Sequence, residues 1–324
     1  MRDSAHPDAF PTINRAYNSV FRPGRLTLGL VAPVEAHGNN PVPTLERHIE
    51  RIKLAETLGF SAIWLRDVPF NVPGFGDAGQ IHDPFVYLGA LAMTTQHIAL
   101  GVASVVLPLR HPAHVAKAAA SVDQLSGGRL LLGVASGDRP EEYPAMGATF
   151  PDRGARFRDS FTYIRKMAET CPTLQTQLGD LSGNIDMLPK PTGGRLPLLI
   201  TGGSQQSPEW VAANGDGWMT YPRDIRAQER VVSTYRNQTS AAGIGDRPVM
   251  QSLYVDLEED PDAPARPIHL GFRSGARFLR LYLSELRALG VNHVALNLRF
   301  NNADIETTMK RMAEDLLPAF SHKD

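Results

Sequence analysis

A closed (β/α)8 barrel of the TIM type is the fold this sequence predicts, and three observations predict it. Apolar strands alternate with helix-patterned segments eight times across 324 residues. The strands are continuous apolar runs, as in a parallel sheet covered by helices on its outer face. The turn after the first strand reads APVEAHGNNP (32–41), without the G-x-G-x-x-G that opens a doubly wound nucleotide-binding sheet.

The elements follow in order. LTLGLVAPV (26–34) is the first strand, bounded by Gly-Arg and a Pro/Gly/Asn loop. Thr44 is placed to cap the next helix, where Leu45, Ile49, Ile52, Leu54, Ala55 and Leu58 recur at helical spacing until Gly59 stops it. SAIWLRDV (61–68) is the second strand. The pattern then gives helix 83–95, strand 98–108, helix 111–126, strand 129–137 and helix 153–169. After an insertion come strand 197–203, helix 207–214, strand 217–222, helix 224–242, strand 249–257, helix 274–289, strand 293–300 and helix 303–319.

This is one barrel domain over 26–324 behind a polar N-terminal arm, 1–25, with no composition break, low-complexity tract or short-period repeat. Insertions follow helix four (171–196) and strand seven (258–273), and both are long enough to act as lids.

Composition excludes several functions. Lys+Arg at 33 against Asp+Glu at 34 gives no basic excess, so nucleic acid is not an expected partner. The lone cysteine, Cys171, allows neither an internal disulfide nor a cysteine metal site, and it fits a reducing compartment. Residues 1–25 lack an apolar run of signal-peptide length, and no segment approaches the ~20 apolar residues that span a bilayer. A cytoplasmic protein is expected. The histidines form no metal set: His111 and His114 are separated by a proline, with no carboxylate at metalloprotease spacing. No G-x-S-x-G elbow offers a hydrolase nucleophile.

In such a barrel the chemistry sits at the carboxyl ends of the strands. SGGRLLLGVASGDRP (126–140) therefore carries Ser136, Gly137, Asp138 and Arg139 to the mouth after strand four. TGGSQQSPEW (201–210) runs a strand into two glycines, a serine and a helix start. Glycines let backbone approach a ligand, Ser204 offers a hydroxyl and a helix start offers unpaired N–H groups, which suits a phosphate. A plain glycine turn with Ser207 as N-cap and Pro208 as first helical residue explains the same letters. GVASVVLPLRHP (101–112) places the small pair Ala103-Ser104 in an otherwise bulky strand, which makes room for a flat ligand or a tight packing layer. Tyr87 and Trp64 could stack on an aromatic ligand, but both lie in apolar patterns that favour the core. Arg139, Glu141 and Glu142 read as a solvated charge cluster, and Arg273 in GFRSG as an anion ligand or the end of a loop.

Three segments, in order and on matching elements, resemble the bacterial luciferase-like flavin monooxygenase superfamily. They are FSAIWLRDVPF (60–70), LGVASVVLPLRHPAHVAKAAASVDQLSGGRLLLGVASGDRP (100–140) and ITGGSQQSPEWVAANGDGW (200–218); the resemblance covers most of 26–300. It implies a barrel that binds FMN, whose reduced form reacts with O2 to oxygenate a small organic substrate. Some relatives use the deazaflavin F420 for hydride transfer instead, and others bind flavin without turnover. The resemblance also implies a non-proline cis peptide between Ala103 and Ser104 beneath the flavin ring. Flavin contacts are implied at Ser136 and Gly137, a flavin and phosphate cradle at Thr201, Gly202, Gly203 and Ser204, and a mouth carboxylate at Asp67. A separate flavin reductase and a homodimer are the implied partners. This sequence departs from light-emitting members at Val68, where they carry histidine, and at Ser136, where they carry an arginine directed at the phosphate. Arg139 or Arg273 is left to supply that counter-charge, and no residue stands out as a general base.

Overall fold

The computed structural model describes residues 9–38 and 40–320, so the first eight residues of the arm lie outside the described chain. A short helix, α1 (Arg15–Val20), precedes the first barrel strand, β1 (Thr27–Val31). Then follow α2 (His48–Leu58), β2 (Ala62–Leu65), α3 (Pro84–Thr94), β3 (Ala99–Val106), α4 (Pro112–Leu125) and β4 (Leu130–Ala135). A short helix α5 (Glu142–Ala145) and the longer α6 (Arg153–Lys166) lead into an antiparallel hairpin, β5 (Thr173–Thr176) with β6 (Gly179–Ser182). Next come β7 (Leu198–Thr201), α7 (Pro208–Asn214), β8 (Gly217–Thr220), α8 (Ile225–Ala241) and β9 (Val249–Leu257). A second hairpin, β10 (Arg266–Ile268) with β11 (Gly271–Ser274), precedes α9 (Ala276–Ala288), β12 (His293–Asn297), α10 (Ile305–Asp315) and α11 (Leu317–Phe320).

Eight of these strands close the predicted barrel in the order β1-β2-β3-β4-β7-β8-β9-β12, all parallel, with β12 pairing back onto β1. Among the described residues no helix is long and apolar enough to cross a membrane.

Three expectations need correction. The first helix begins at His48 and not at Thr44, because the Glu35 carboxylate takes the Thr44 and Leu45 N–H groups (2.8 and 2.9 Å). Leu45 and Arg47 then turn through positive φ before the helix can start. The arm is not merely polar chain, since α1 plugs the amino end of the barrel. Asn14 caps it, and Ile13, Tyr17, Val20 and Phe21 join the inner core with Trp64, Leu131, Met219 and Met250. The insertion 171–196 is no lid. It connects a helix to a strand, so it starts from the amino face, and its hairpin climbs the outside of the barrel to the N-terminus of α4, where Leu178 O meets His111 Nε2 at 3.0 Å, without any of its residues lining the cavity at the mouth.

The lower barrel is solid because Trp64 fills it. A Cβ on Gly101 would lie 2.2 Å from the Trp64 ring, and one on Gly29 2.8 Å from His293 Nε2, so both strands give up side chains to admit these rings. Trp64 Nε1–H donates to His293 Nε2 (2.8 Å). An indole N–H can only donate, so the imidazole proton sits on Nδ1 and goes to Thr27 Oγ1 (2.7 Å). The Thr27 hydroxyl donates in turn to the Val20 carbonyl (2.9 Å), tying barrel to plug. Trp64 is thus core, as its apolar pattern favoured.

Burial pushes the His293 imidazole down to about 3. Above pH ~6.5 it is neutral folded or unfolded, and it contributes no pH dependence. Below that, the unfolded chain takes up a proton that the native state refuses, so stability falls with pH until about 3. Urea unfolding from pH 7.5 to 5 is expected to show a loss of about 1 kcal/mol per pH unit below pH 6.5 from this residue. The His293→Gln variant, whatever its starting stability, should show a shallower slope; an unchanged slope would place the dependence elsewhere.

Candidate functional site

Above Trp64 the barrel opens into a cavity of ≈470 Å³ at the carboxyl ends of the strands. That is within the usual size of small-molecule pockets, roughly 300–1,000 Å³. Asp67, Ala103, Ser104, Ser136, Gly137, Arg139, Thr201, Gly202, Gly203 and Ser204 all line it. Arg273 does not. It pairs with Asp256 (2.6 Å), its register partner across β9 and β11, and its guanidinium is spent on holding that hairpin.

The floor is built by a missing side chain. Ser104 on β3 and Thr201 on β7 point inward from strands that flank β4, and their hydroxyls hydrogen-bond to one another. They can meet because β4 carries Gly133 between them, where a Cβ would lie 2.3 Å from the Val102 carbonyl and 2.6 Å from Met219 Sδ. The Ala103–Ser104 peptide bond is cis, and β3 shifts register against β4 between Val102 and Val105. At Gly137, φ is +79°, and a Cβ would press on the Tyr143 hydroxyl and Val106, each 2.7 Å away. Tyr143, buried, donates its hydroxyl to the Ser136 carbonyl.

Asp67 is not a free carboxylate. Arg110 grips both its oxygens (Nε to Oδ2 2.9 Å, Nη2 to Oδ1 2.6 Å), and the Val106 N–H donates to Oδ2 (3.1 Å). It fastens the end of β2 to the end of β3.

The turn after β7 has the conformation of an anion nest. Gly202, Ser204 and Gln205 have positive φ (54°, 44° and 61°). Among the described residues the N–H groups of Gly203, Ser204 and Gln205 have no protein acceptor, whereas Gly202 N donates to the Met219 carbonyl and Gln206 N to the Gly203 carbonyl. Successive free N–H groups on left-handed backbone form a concavity for an anion. Two parts of the expected cradle differ. The Ser204 hydroxyl donates to the Thr201 carbonyl (2.8 Å), and Ser207 caps the short α7 through Trp210 N (3.2 Å). What the turn offers is backbone. Arg158, unremarked in the sequence, stands beside it, its Nε donating to Gln206 Oε1 (2.9 Å).

Opposite walls carry charge. The loop after β2 is drawn over the mouth by Asp77, whose carboxylate takes Arg66 and Arg299 (3.0 Å) as well as Gly79 N (2.8 Å). Burial alone would raise the Asp77 carboxyl, but the Arg66 guanidinium, the Gly79 N–H and Arg299 together outweigh this and hold it low. Arg299 also donates to the Gly76 carbonyl (2.6 Å), and Arg139 to the Asp77 carbonyl (3.1 Å) while lying over the Phe75 ring. The solvated cluster expected at 139–142 is therefore corrected for two of its three residues. Arg139 is 4% and Glu142 3% exposed, and only Glu141 faces water. Burial, partly countered by Arg139, raises the Glu142 carboxyl. Loop 258–273 does reach the cavity, through His269 and Leu270. Tyr87 turns away from it, its hydroxyl 2.5 Å from His48 Nδ1. Among the described residues no group of three His, Cys, Asp or Glu could hold a metal.

Comparisons with known proteins fit this geometry. A family model described as luciferase-like monooxygenase matches residues 23–321. An uncharacterised protein of Mycobacterium tuberculosis is 31% identical over 68% of this chain and 82% of its own length. The oxygenase component of a flavin-dependent trigonelline monooxygenase from Acinetobacter baylyi is 31% identical over 62% of this chain and 50% of its own. Among solved structures, an F420-dependent secondary alcohol dehydrogenase superposes with a TM-score of 0.75 at 18% identity, covering 92% of this chain and all of that one.

The Asp67 clamp gives a direct test. Asp67→Asn replaces a buried acceptor of three hydrogen bonds with a group that must turn an N–H toward existing donors, and it should cost about 2–3 kcal/mol in urea unfolding. Asp83→Asn also touches Arg110 but keeps a good helix cap on a more exposed side chain, and it should cost under ~1 kcal/mol. Equal losses would mean that Asp67 is not the clamp.

Proposed function

The chain belongs to the luciferase-like monooxygenase family, and from that premise we propose that it is an FMN-dependent oxidoreductase, the oxygenase half of a two-component monooxygenase acting on a small organic substrate. The observation that carries the reading is the nest of free N–H groups at Gly203, Ser204 and Gln205, opening on a cavity floored by Ser104 and Thr201. A phosphate fits such a nest, and Arg158 supplies a nearby positive charge in place of Arg139 and Arg273, both engaged elsewhere.

In this reading the turn would hold the phosphate, and the strand with the cis peptide at Ala103–Ser104 would form part of the flavin's binding surface. The Ser104–Thr201 hydroxyl pair and Gly137 would line the ring's space, and Asp67 keeps β2 and β3 in place. When bound and reduced, FMN supplies the electrons that activate O2. The cavity excludes bulk water around the substrate. The chain shows no G-x-G-x-x-G after β1 to bind a nicotinamide, and one similar protein is named an oxygenase component; both support reduced flavin arriving from a separate reductase. The same reading takes the chain as a cytoplasmic homodimer, which sedimentation velocity checks.

Fluorescence titration of the purified chain with FMN, riboflavin and F420 tests the cofactor. FMN should bind most tightly, and tighter F420 binding would favour hydride transfer over oxygenation. Gly203→Asp then probes the nest. Gly203 lacks a positive φ, and an added Cβ meets only the Gln206 carbonyl at 3.5 Å, so the variant should fold. Two like charges ~4 Å apart repel by roughly 1 kcal/mol in water and about 4 at intermediate dielectric. FMN affinity should drop about a hundredfold while riboflavin is nearly spared. Arg158→Ala should weaken FMN no more than about fivefold, as an exposed charge does. Undiminished FMN binding in a folded Gly203→Asp protein rules out the turn as the phosphate site.

A further inference from the structure

We propose that Arg66 is the residue that selects the substrate, and that the substrate class is an organic carboxylate, or a similar flat two-oxygen anion, bound in the cavity by its guanidinium. The proposal rests on the oxygenase reading for what happens to that substrate, but not for its binding.

Arg66 follows β2 directly and continues the inward alternation of Ala62 and Trp64, so its side chain reaches the cavity. It is held unusually firmly. Gln80 Oε1 accepts its backbone N–H (2.9 Å), Gln80 Nε2 donates to its carbonyl (2.6 Å), and one end of the guanidinium is fixed by Asp77. Asp77 is itself shared with Arg299. The Arg66 side chain remains 25% exposed, and it is exposed to the cavity that it lines. Its Nε and Nη2 have no hydrogen-bond partner among the described residues. Arg129, at the base of the barrel, fills its donors with five hydrogen bonds, and the donors that Arg139 and Arg299 leave unpaired (Nη1 and Nε) are sealed inside the protein, whereas those of Arg66 are open to the cavity.

The other cations near the cavity are already committed. Arg110 is gripped by Asp67 and Asp83, and Arg299 and Arg139 donate to loop carbonyls and are almost wholly buried. Total charge does not decide the matter. Arg66, Arg139 and Arg299 face Asp67, Asp77, Asp138 and Glu142 on the same walls, so the lining has no cationic excess. What is unmatched is a planar pair of N–H donors, oriented in advance and sheltered from bulk water. A carboxylate fills such a fork with two parallel hydrogen bonds, which an amide or alcohol cannot do. Asp138 lines the cavity without an ion pair among the described residues and disfavours a second anionic group, so the fitting substrate carries its negative charge at one end.

The test is calorimetric titration of the FMN-loaded chain with matched acids and amides: hexanoate and hexanamide, benzoate and benzamide, nicotinate and nicotinamide. At least one acid should bind about tenfold or more tighter than its amide, as one added charge-assisted hydrogen bond allows. Arg66→Gln should abolish that preference and leave FMN affinity within about threefold. If that variant does not fold, Arg66→Lys keeps a cation for Asp77 without the fork, and it should weaken the preferred acid by about threefold or more. The proposal is overturned if no acid outbinds its amide, if the preference survives in either variant, or if Arg66→Gln chiefly weakens FMN. Failure of FMN to bind, with the acid preference intact in the cofactor-free chain, would remove the cofactor reading and leave this one standing.

Discussion

The hydrogen bond from Trp64 to His293 decides where this barrel is solid and where it is hollow. Eight strands enclose a fixed width, and one indole with one imidazole nearly spans it at a single level. Gly29 and Gly101 are the cost of admitting them, and the plug of α1 seals what lies beneath. Because the lower layers are complete without help from above, the top layer is free to carry Ser104, Thr201 and Arg66, none of which would be tolerated as filling. A barrel with an aliphatic middle would need those positions for packing.

The mouth follows a second rule: its charged groups hold loops before they hold ligands. Asp67 binds the end of β2 to that of β3, and Asp77 gathers Arg66 and Arg299 and with them the whole loop after β2. Arginine suits the task because its five donors can brace several carbonyls and a carboxylate at once. Arg139 and Arg299 are buried in this way, with their remaining donors sealed from the cavity; Arg66 is not. The base of the barrel shows the consumed version as well. In the run D-Q-L-S-G-G-R, Asp123 anchors Asn14 and Thr192, and Arg129 collects the carbonyls of Ala92, Thr95, Ile98 and Ser126. That stretch is a clasp for plug, helix and insertion, at the end of the barrel away from the cavity.

How much of this is legible in the sequence depends on whether the cause is local. Strand 249–257 is read to the residue, since an unbroken apolar run between polar turns suits a buried parallel strand and little else. Helix starts drift wherever a distant side chain intervenes, as Glu35 does at Thr44. The plug is unreadable because RAYNSV looks like exposed chain until Tyr17 finds the Asp216 carbonyl. The hairpin at 171–196 differs from the expected lid for a topological reason, because a helix-to-strand connection starts from the face away from the mouth. Ten of the named site residues converge on one cavity because strand ends in a barrel must, whereas Arg273 sits one strand too far out on β11. Burial of Arg139 and Glu142 leaves no trace in a run of charges, since such runs are solvated far more often than not.

The nest and the fork stand on different elements, and this shapes how the site can vary. The nest is backbone, set by positive φ at three positions of one turn, so many side chains could change around it without altering what it binds. Arg66 is a side chain whose aim depends on Asp77, Gln80 and Arg299, three residues on two other segments. A single substitution among these would leave the barrel and the nest in place while moving or freeing the fork. On the proposed reading, recognition of an anionic phosphate group would be built into the fold's own chain path, and recognition of the substrate would be held by replaceable parts. Such a division would let one barrel keep its cofactor while its substrates change.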